Sequence, residues 1–251
     1  MHGLGNDFII VDGRTQPFAP NRAQAQFLAN RRWGIGCDQI IVLENSVRAD
    51  VFMRIYNADG SQAEACGNAT RCVASLIDGE LSSAAKAPVI ETVAGLLPTQ
   101  KIDGQFQVDM GKIEIIDTAR HVAGGPGPAL ILDMGNPHCV FLTDQLDLVT
   151  SLGPRVEVDL QFPQRTNVQF VQVLTTTEIR QRVWERGAGL TEASGSGACA
   201  GAVAAMIAGG CDRHVTVHMD GGDLDLTWRQ DDGHVLMRGP HALTFAGHFD
   251  L

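Results

Sequence analysis

Lysine is scarce in this chain: Lys86, Lys101 and Lys112 are the only three in 251 residues. None lies in a glycine-rich or otherwise marked stretch, so no side chain offers itself for a pyridoxal Schiff base. Positive charge is short overall. Nineteen Lys and Arg against 29 Asp and Glu leave a formal net charge of −10 and a pI near 5.1, which argues against nucleic acid or an anionic membrane surface as partner. No apolar run approaches the ~18 residues of a membrane span. The opening MHGLGNDFII has no basic region, hydrophobic stretch or cleavage site, so it does not read as a secretory signal and a cytoplasmic protein is expected. Zinc spacing is also missing. The six cysteines, Cys37, Cys66, Cys72, Cys139, Cys199 and Cys211, form no C-x-x-C pair and no His/Cys cluster. Reduced thiols, no metal and no cofactor are therefore expected.

What is present is the material of a well-packed globular protein. Hydrophobic residues make up 44% of the chain, and its length suits one large domain or two ordinary ones. Strand-like runs recur at 8–12, 39–44, 51–57, 106–111, 129–135, 168–174 and 179–185, several alternating apolar with polar residues. Helical periodicity is clearest over 20–32, 68–78 and 195–210. HVAGGPGP, 121–128, has the composition of a link between domains.

Two of these helices are introduced by nearly the same phrase, EACGNA at 64–69 and EASGSG at 192–197, with Cys66 in one at the place of Ser194 in the other, 194 − 66 = 128 residues apart. Each phrase reads as strand, loop and glycine-led helix start. The pattern implies two similar halves, each a sheet curled around one apolar helix, with the two helix starts facing one cleft. An α+β fold with two pseudo-symmetric domains is therefore expected, 1–118 plus 240–251 and 119–239, each a curled, mostly antiparallel and barrel-like sheet around a central helix.

The chemistry of such helix starts is specific. Unpaired backbone N–H groups and the helix dipole favour negative charge there. They lower a thiol pKa from about 8.5 toward neutrality and bind carboxylates without a basic side chain. Two such sites opposed could take a proton from one face of an amino acid's α-carbon and return one to the other. Cys66 could instead be a small buried hydrophobe. Asn136 before Pro137 also suits a turn, and His138 a hydrogen-bonded core histidine.

HGLGNDF (2–8), GCDQ (36–39), YNADGS (56–61), EACGNATRC (64–72), GNPHCV (135–140), RTNVQFV (165–171), ERGAGLTEASGSGACA (185–200) and RGP (238–240) resemble the diaminopimelate epimerase family in order and spacing. The resemblance implies a cofactor-independent epimerase that interconverts LL- and meso-2,6-diaminopimelate in lysine and peptidoglycan precursor synthesis. It also implies a small-molecule amino-acid substrate and a homodimer. Carried over by position, it makes Cys66 the first catalytic thiol, and Asn6, Gln39 and Asn57 the holders of the distal amino-acid end. Gly67 and Asn68 become part of a carboxylate cradle, with Gly195 and Ser196 forming the second. Asn136 and Asn167 become further substrate contacts. His138 and Glu185 match a catalytic polar pair near the thiols, Glu185 being a substrate contact as well, and Arg186 matches a carboxylate contact that can grip with two bonds.

The sequence departs from the pattern at Ser194, where the family has cysteine. A hydroxyl is far less acidic than a thiol and needs a partnered base. The serine fits an introduced change that arrests turnover, a natural variant of weak activity, or different chemistry. The last would make the chain a related racemase or dehydratase of the same fold, and a catalytically dead amino-acid-binding protein is the remaining alternative.

Overall fold

The computed structural model describes residues 1–81 and 87–249; Lys86 lies outside them. By internal contacts the chain divides into two compact units, Met1–Val108 with Gly239–Leu251, and Asp109–Arg238.

The first unit holds β1 (His2–Gly3), β2 (Asn6–Asp12), α1 (Arg22–Ala29), β3 (Gln39–Glu44), β4 (Val51–Asn57), β5 (Gln62–Ala63), α2 (Gly67–Asp78), β6 (Val89–Thr92), β7 (Gly95–Ile102) and the start of β8 (Gln105–Lys112). Its sheet runs β1-β2-β3-β4-β6-β7-β8, with β5 folded back on β4. Two pairs are parallel, β2 with β3 and β4 with β6. Parallel neighbours need a crossover; α1 lies in the first and α2 in the second. α2 packs on β1, β4 and β6 and is buried along most of its length.

The second unit holds β9 (Glu114–Arg120), β10 (Ala129–Asp133), β11 (Pro137–Leu142), α3 (Leu148–Glu157), β12 (Asn167–Thr175), β13 (Glu178–Glu185), β14 (Gly189–Thr191), α4 (Gly195–Ile207), β15 (His214–Met219), β16 (Gly222–Trp228) and β17 (His234–Gly239). Its sheet runs β9-β10-β11-β12-β13-β15-β16-β17, with β14 folded on β13. The parallel pairs are β11 with β12 and β13 with β15. Without β9, this is the element order of the first unit, pair by pair. The sheet curls, unclosed, around α4, whose sequence GSGACAGAVAAMI is apolar on every face and almost entirely buried.

The duplication is in register. Gln39 and Asn167, Asn57 and Glu185, and Cys66 and Ser194 all keep the same 194 − 66 = 128 spacing. Phe8 lies opposite Gln39 on the parallel pair of the first unit, and His138 opposite Asn167 on that of the second.

Some expectations are revised. The helix read over 20–32 is confined to 22–29. Asn21 and Gln24 form a capping box at its start, with reciprocal bonds of 3.0 Å. At its end the Asn30 side chain accepts from Arg32 N and Trp33 N at 2.9 Å, drawing the chain into a turn. Gly34 closes that turn, where a Cβ would lie 1.8 Å from the Phe27 carbonyl oxygen. α3 was not read from sequence, because Gly153 and Pro154 depress helical propensity. It forms because Gly153 lets the helix sit on Trp184: a Cβ there would be 2.6 Å from Trp184 Cβ. The 121–128 segment joins β9 to β10 inside the second unit, so its glycines and prolines make a connection, not a link. Among the described residues no helix is long and apolar enough to cross a membrane.

Candidate functional site

In the first unit Cys66 is the N-cap of α2, in extended conformation (φ −150°, ψ 108°), with no hydrogen bond from its side chain to the helix start. Its carbonyl accepts from Thr70 N at 2.9 Å and from Thr70 Oγ1 at 2.8 Å. The thiol is half-buried and faces Asn6 Oδ1 at 4.0 Å. Burial pushes the thiols of Cys37, Cys72 and Cys139 up to about 11, 12 and 12, leaving them inert as bases.

Asn6 is held by a directed chain. The fully buried Arg71 donates to Asn68 Oδ1 at 2.9 Å, and Asn68 Nδ2 donates to Asn6 Oδ1 at 3.2 Å. Asn6 Nδ2 then donates to Asp38 Oδ2 at 2.9 Å, and Asp38 Oδ1 accepts from Arg31 at 2.7 Å. A guanidinium can only donate and a carboxylate can only accept, so both amides have one allowed orientation. Arg31 also grips Asp7 with two bonds of 2.8 Å. Burial pushes the Asp7 carboxyl up, but Arg31 and the hydrogen bonding of Asp38 together outweigh it, holding the group below the usual carboxylate range. Asn6 thus sits against the thiol, while Gln39 Nε2 donates to Asn57 Oδ1 at 2.9 Å. Asn57 Nδ2 in turn donates to Ser61 Oγ at 3.0 Å.

In the second unit Ser194 is the N-cap of α4, in the same extended conformation (φ −128°, ψ 120°). It is buried, and its Oγ accepts from Gly197 N at 3.2 Å. The serine therefore caps the helix as serines commonly do, whereas Cys66 makes no such bond. Asn136 Nδ2 donates to Ser196 Oγ at 3.3 Å. His138 Nε2 bonds Asn136 Oδ1 at 3.0 Å, and Gln169 Nε2 bonds His138 Nδ1 at 2.9 Å.

Asn167 donates to Pro137 O at 2.9 Å and accepts from Arg186 N at 3.0 Å. Arg186 Nη1 donates to Gln164 O at 3.1 Å. Glu157, buried at the end of α3, accepts from Trp184 Nε1 at 2.8 Å and Gly187 N at 2.9 Å. It pins the turn that carries Glu185 and Arg186. Thr191 Oγ1 donates to Glu185 Oε1 at 2.6 Å.

Both ring nitrogens of His138, which the resemblance makes part of a catalytic pair, are engaged within this unit. Burial pushes its pKa down to about 3; the bond from Gln169 opposes this and the Arg186 charge adds to it. The ring is neutral at pH 7. The unfolded chain accepts a proton near pH 6.5 that the folded ring refuses, so stability from this group is full above pH 6.5 and declines from there toward about pH 3. Lowering the pH from 7 to 5 is expected to cost about 2 kcal/mol through His138. Urea unfolding of the protein and of His138→Gln at the two pH values checks this, with the smaller loss expected in the variant.

Four residues that shape the site, Asp38, Arg71, Glu157 and Gln169, carry no sequence signature of their own. Three of them adjoin or lie within motifs singled out above. Glu157 ends a helix that the sequence conceals.

The family model described as diaminopimelate epimerase matches residues 1–116 and 130–244. The diaminopimelate epimerase of Acidiphilium cryptum is 48% identical over 266 residues, covering 100% of this chain and 95% of the relative. That of Rhodospirillum centenum is 47% identical, covering 98% and 90%. Among solved structures, a PhzF-family phenazine biosynthesis protein from Bacillus anthracis superposes with a TM-score of 0.69 at 17% identity, over 95% of this chain and 91% of that one; this likeness concerns the fold.

Proposed function

The chain belongs to the diaminopimelate epimerase family, and from that premise we propose that it interconverts LL- and meso-2,6-diaminopimelate without a cofactor, as a cytoplasmic homodimer serving lysine and cell-wall precursor synthesis. The observation that carries the reading is the pair of matched helix starts, each with an extended N-cap at a motif position that bears a proton-carrying side chain.

In this mechanism the N–H groups at the starts of α2 and α4 and the charge of Arg186 hold carboxylates of the substrate. Cys66 Sγ and the side chain at 194 act on the same α-carbon from opposite faces. One takes the α-proton, breaking the C–H bond, and the pair of electrons is held by the adjoining carboxylate. The other delivers its own proton to the opposite face, inverting the centre. His138 is a positioning residue here: it orients Asn136 and exchanges no proton. With serine at 194 one of the two proton carriers is weak, so turnover is slow and the substrate still binds.

Calorimetry with LL- and meso-diaminopimelate and α-proton exchange in heavy water test the reading together. Binding of both isomers with exchange of at least one is expected. Binding without exchange of either isomer makes the protein an amino-acid-binding protein, and absence of binding defeats the proposal. Arg186→Ala is expected to weaken binding by roughly 1.5–3 kcal/mol, the worth of a hydrogen bond to a charged group; unchanged affinity removes Arg186 from the carboxylate contact.

A further inference from the structure

The duplication supplies its own comparison for the buried polar groups. In the register of the two parallel pairs, the places of His138 and Gln169 in the second unit are those of Phe8 and Ile41 in the first. Phe8 and Ile41 are both buried and apolar. The fold therefore does not require polar side chains at these two places. Burying an imidazole and a carboxamide there costs desolvation unless each is satisfied, yet His138 and Gln169 are both fully buried. The two groups serve something other than packing.

They form a line that ends at a helix start. Gln169 Nε2 meets His138 Nδ1 at 2.9 Å, His138 Nε2 meets Asn136 Oδ1 at 3.0 Å, and Asn136 Nδ2 meets Ser196 Oγ at 3.3 Å. Gln169 also lies under the first turn of α4: a Cβ on Gly197 would approach its Nε2 to 3.2 Å.

Neutral imidazole has one donor and one acceptor nitrogen, so the line has two self-consistent settings that run in opposite directions. In one, Gln169 donates to Nδ1 and its Oε1 is left without a partner, as observed. In the other, Oε1 would accept and the whole amide NH2 group would be stranded in the core. A buried carbonyl oxygen short of a partner is tolerated better than a stranded N–H, which selects the first setting.

We infer that Gln169 is a positioning residue that sets the direction of this line: it keeps the proton of His138 on Nε2 and thereby turns the Nδ2 group of Asn136 toward Ser196 and an incoming carboxylate. The inference rests on the reading of α4 as a carboxylate-binding helix start. An anionic ligand needs donors, and the reverse setting would present Asn136 Oδ1, an acceptor that repels it. In the first unit the corresponding asparagine, Asn6, is turned instead by Arg71 through Asn68 and by Asp38.

The test begins with the unaltered protein, uniformly labelled with nitrogen-15. Its two-bond proton–nitrogen spectrum reports which ring nitrogen of each histidine carries the proton, and His138 is identified by its absence in His138→Gln. An Nε2-protonated ring that is unchanged between about pH 5 and 9 is expected. A proton on Nδ1, a mixture of tautomers or an imidazolium in this protein overturns the inference, whether or not any variant folds.

Gln169→Glu, in its ionised form, can only accept and is expected to draw a proton onto Nδ1. Gln169→Met, which neither donates nor accepts, is expected to leave a mixture. Both are expected to weaken diaminopimelate binding at least about tenfold by calorimetry, with far-UV circular dichroism unchanged. A shifted tautomer with unchanged affinity shows that the line does not reach the ligand and overturns its role. If the unaltered protein shows the expected tautomer but binds no diaminopimelate, the functional reading fails and the proton assignment stands. If it binds diaminopimelate with the proton on Nδ1, the reverse holds.

Discussion

Ser194→Cys is expected to raise the rate of diaminopimelate epimerisation by about 10²–10⁴-fold, the usual worth of one general acid or base. The upper part of that range is favoured, because a serine hydroxyl lacks thiol acidity and the Ser194 Oγ is already used to cap α4, accepting from Gly197 N at 3.2 Å. Affinity should change far less, since the N–H groups of the helix start and Ser196 are untouched. Deuterium uptake from LL- and meso-substrate, followed separately in heavy water, is the decisive measurement. The serine form should exchange one isomer in strong preference to the other, through Cys66. The cysteine form should exchange both. Equal and rapid exchange of both isomers by the serine form would mean that Ser194 is activated by a neighbouring base, and the two-thiol mechanism would fail.

The second large effect is expected at Cys66. Cys66→Ala should remove the residual exchange of the serine form altogether. In the Ser194→Cys protein it should lower epimerisation by about 10²–10⁴-fold while sparing exchange of the opposite isomer. The structural cost should be small: the N-cap contribution of Cys66 to α2 comes through its backbone carbonyl, which Thr70 N and Oγ1 share at 2.9 and 2.8 Å. Exchange that persists unchanged in Cys66→Ala would identify another group as the base on that face. The two substitutions are mirror images, so together they assign each isomer to one helix start.

Legibility of the fold followed the strength of local pattern. β3 and β4 occupy 39–44 and 51–57, the bounds read from sequence, because QIIVLE is a compact apolar run and VFMRIYN alternates. β11 was concealed, since Pro137 opens it directly after a tight turn in which Asp133 Oδ1 accepts from Gly135 N. α3 was concealed because its stability lies in contact with Trp184 and not in propensity. The helix starts at Cys66 and Ser194 were legible because a duplicated phrase with small residues marks them. Gln169 was not. In NVQFVQV it alternates with Val168 and Phe170 like a solvent-facing residue, yet it is fully buried. Its partner His138 is 31 residues away in the chain, and no local pattern encodes a contact of that separation. Arg71 carries no local mark in the helical stretch 68–78, and its burial and its bond to Asn68 reveal its part in orienting Asn6.

The chain from Arg71 through Asn68 and Asn6 to Asp38 has a thermodynamic consequence. A row of amides whose two ends could each donate or accept resembles protons in ice: two arrangements of equal energy coexist, and a ligand that needs one must suppress the other. Each such ambiguity lowers an apparent binding constant by about twofold. Here one end is a guanidinium and the other a carboxylate, so the row has a single arrangement before any ligand arrives. The first unit holds no residual entropy in these amides for a substrate to remove. A substrate arriving at Cys66 therefore meets an Asn6 acceptor that is already turned toward the thiol.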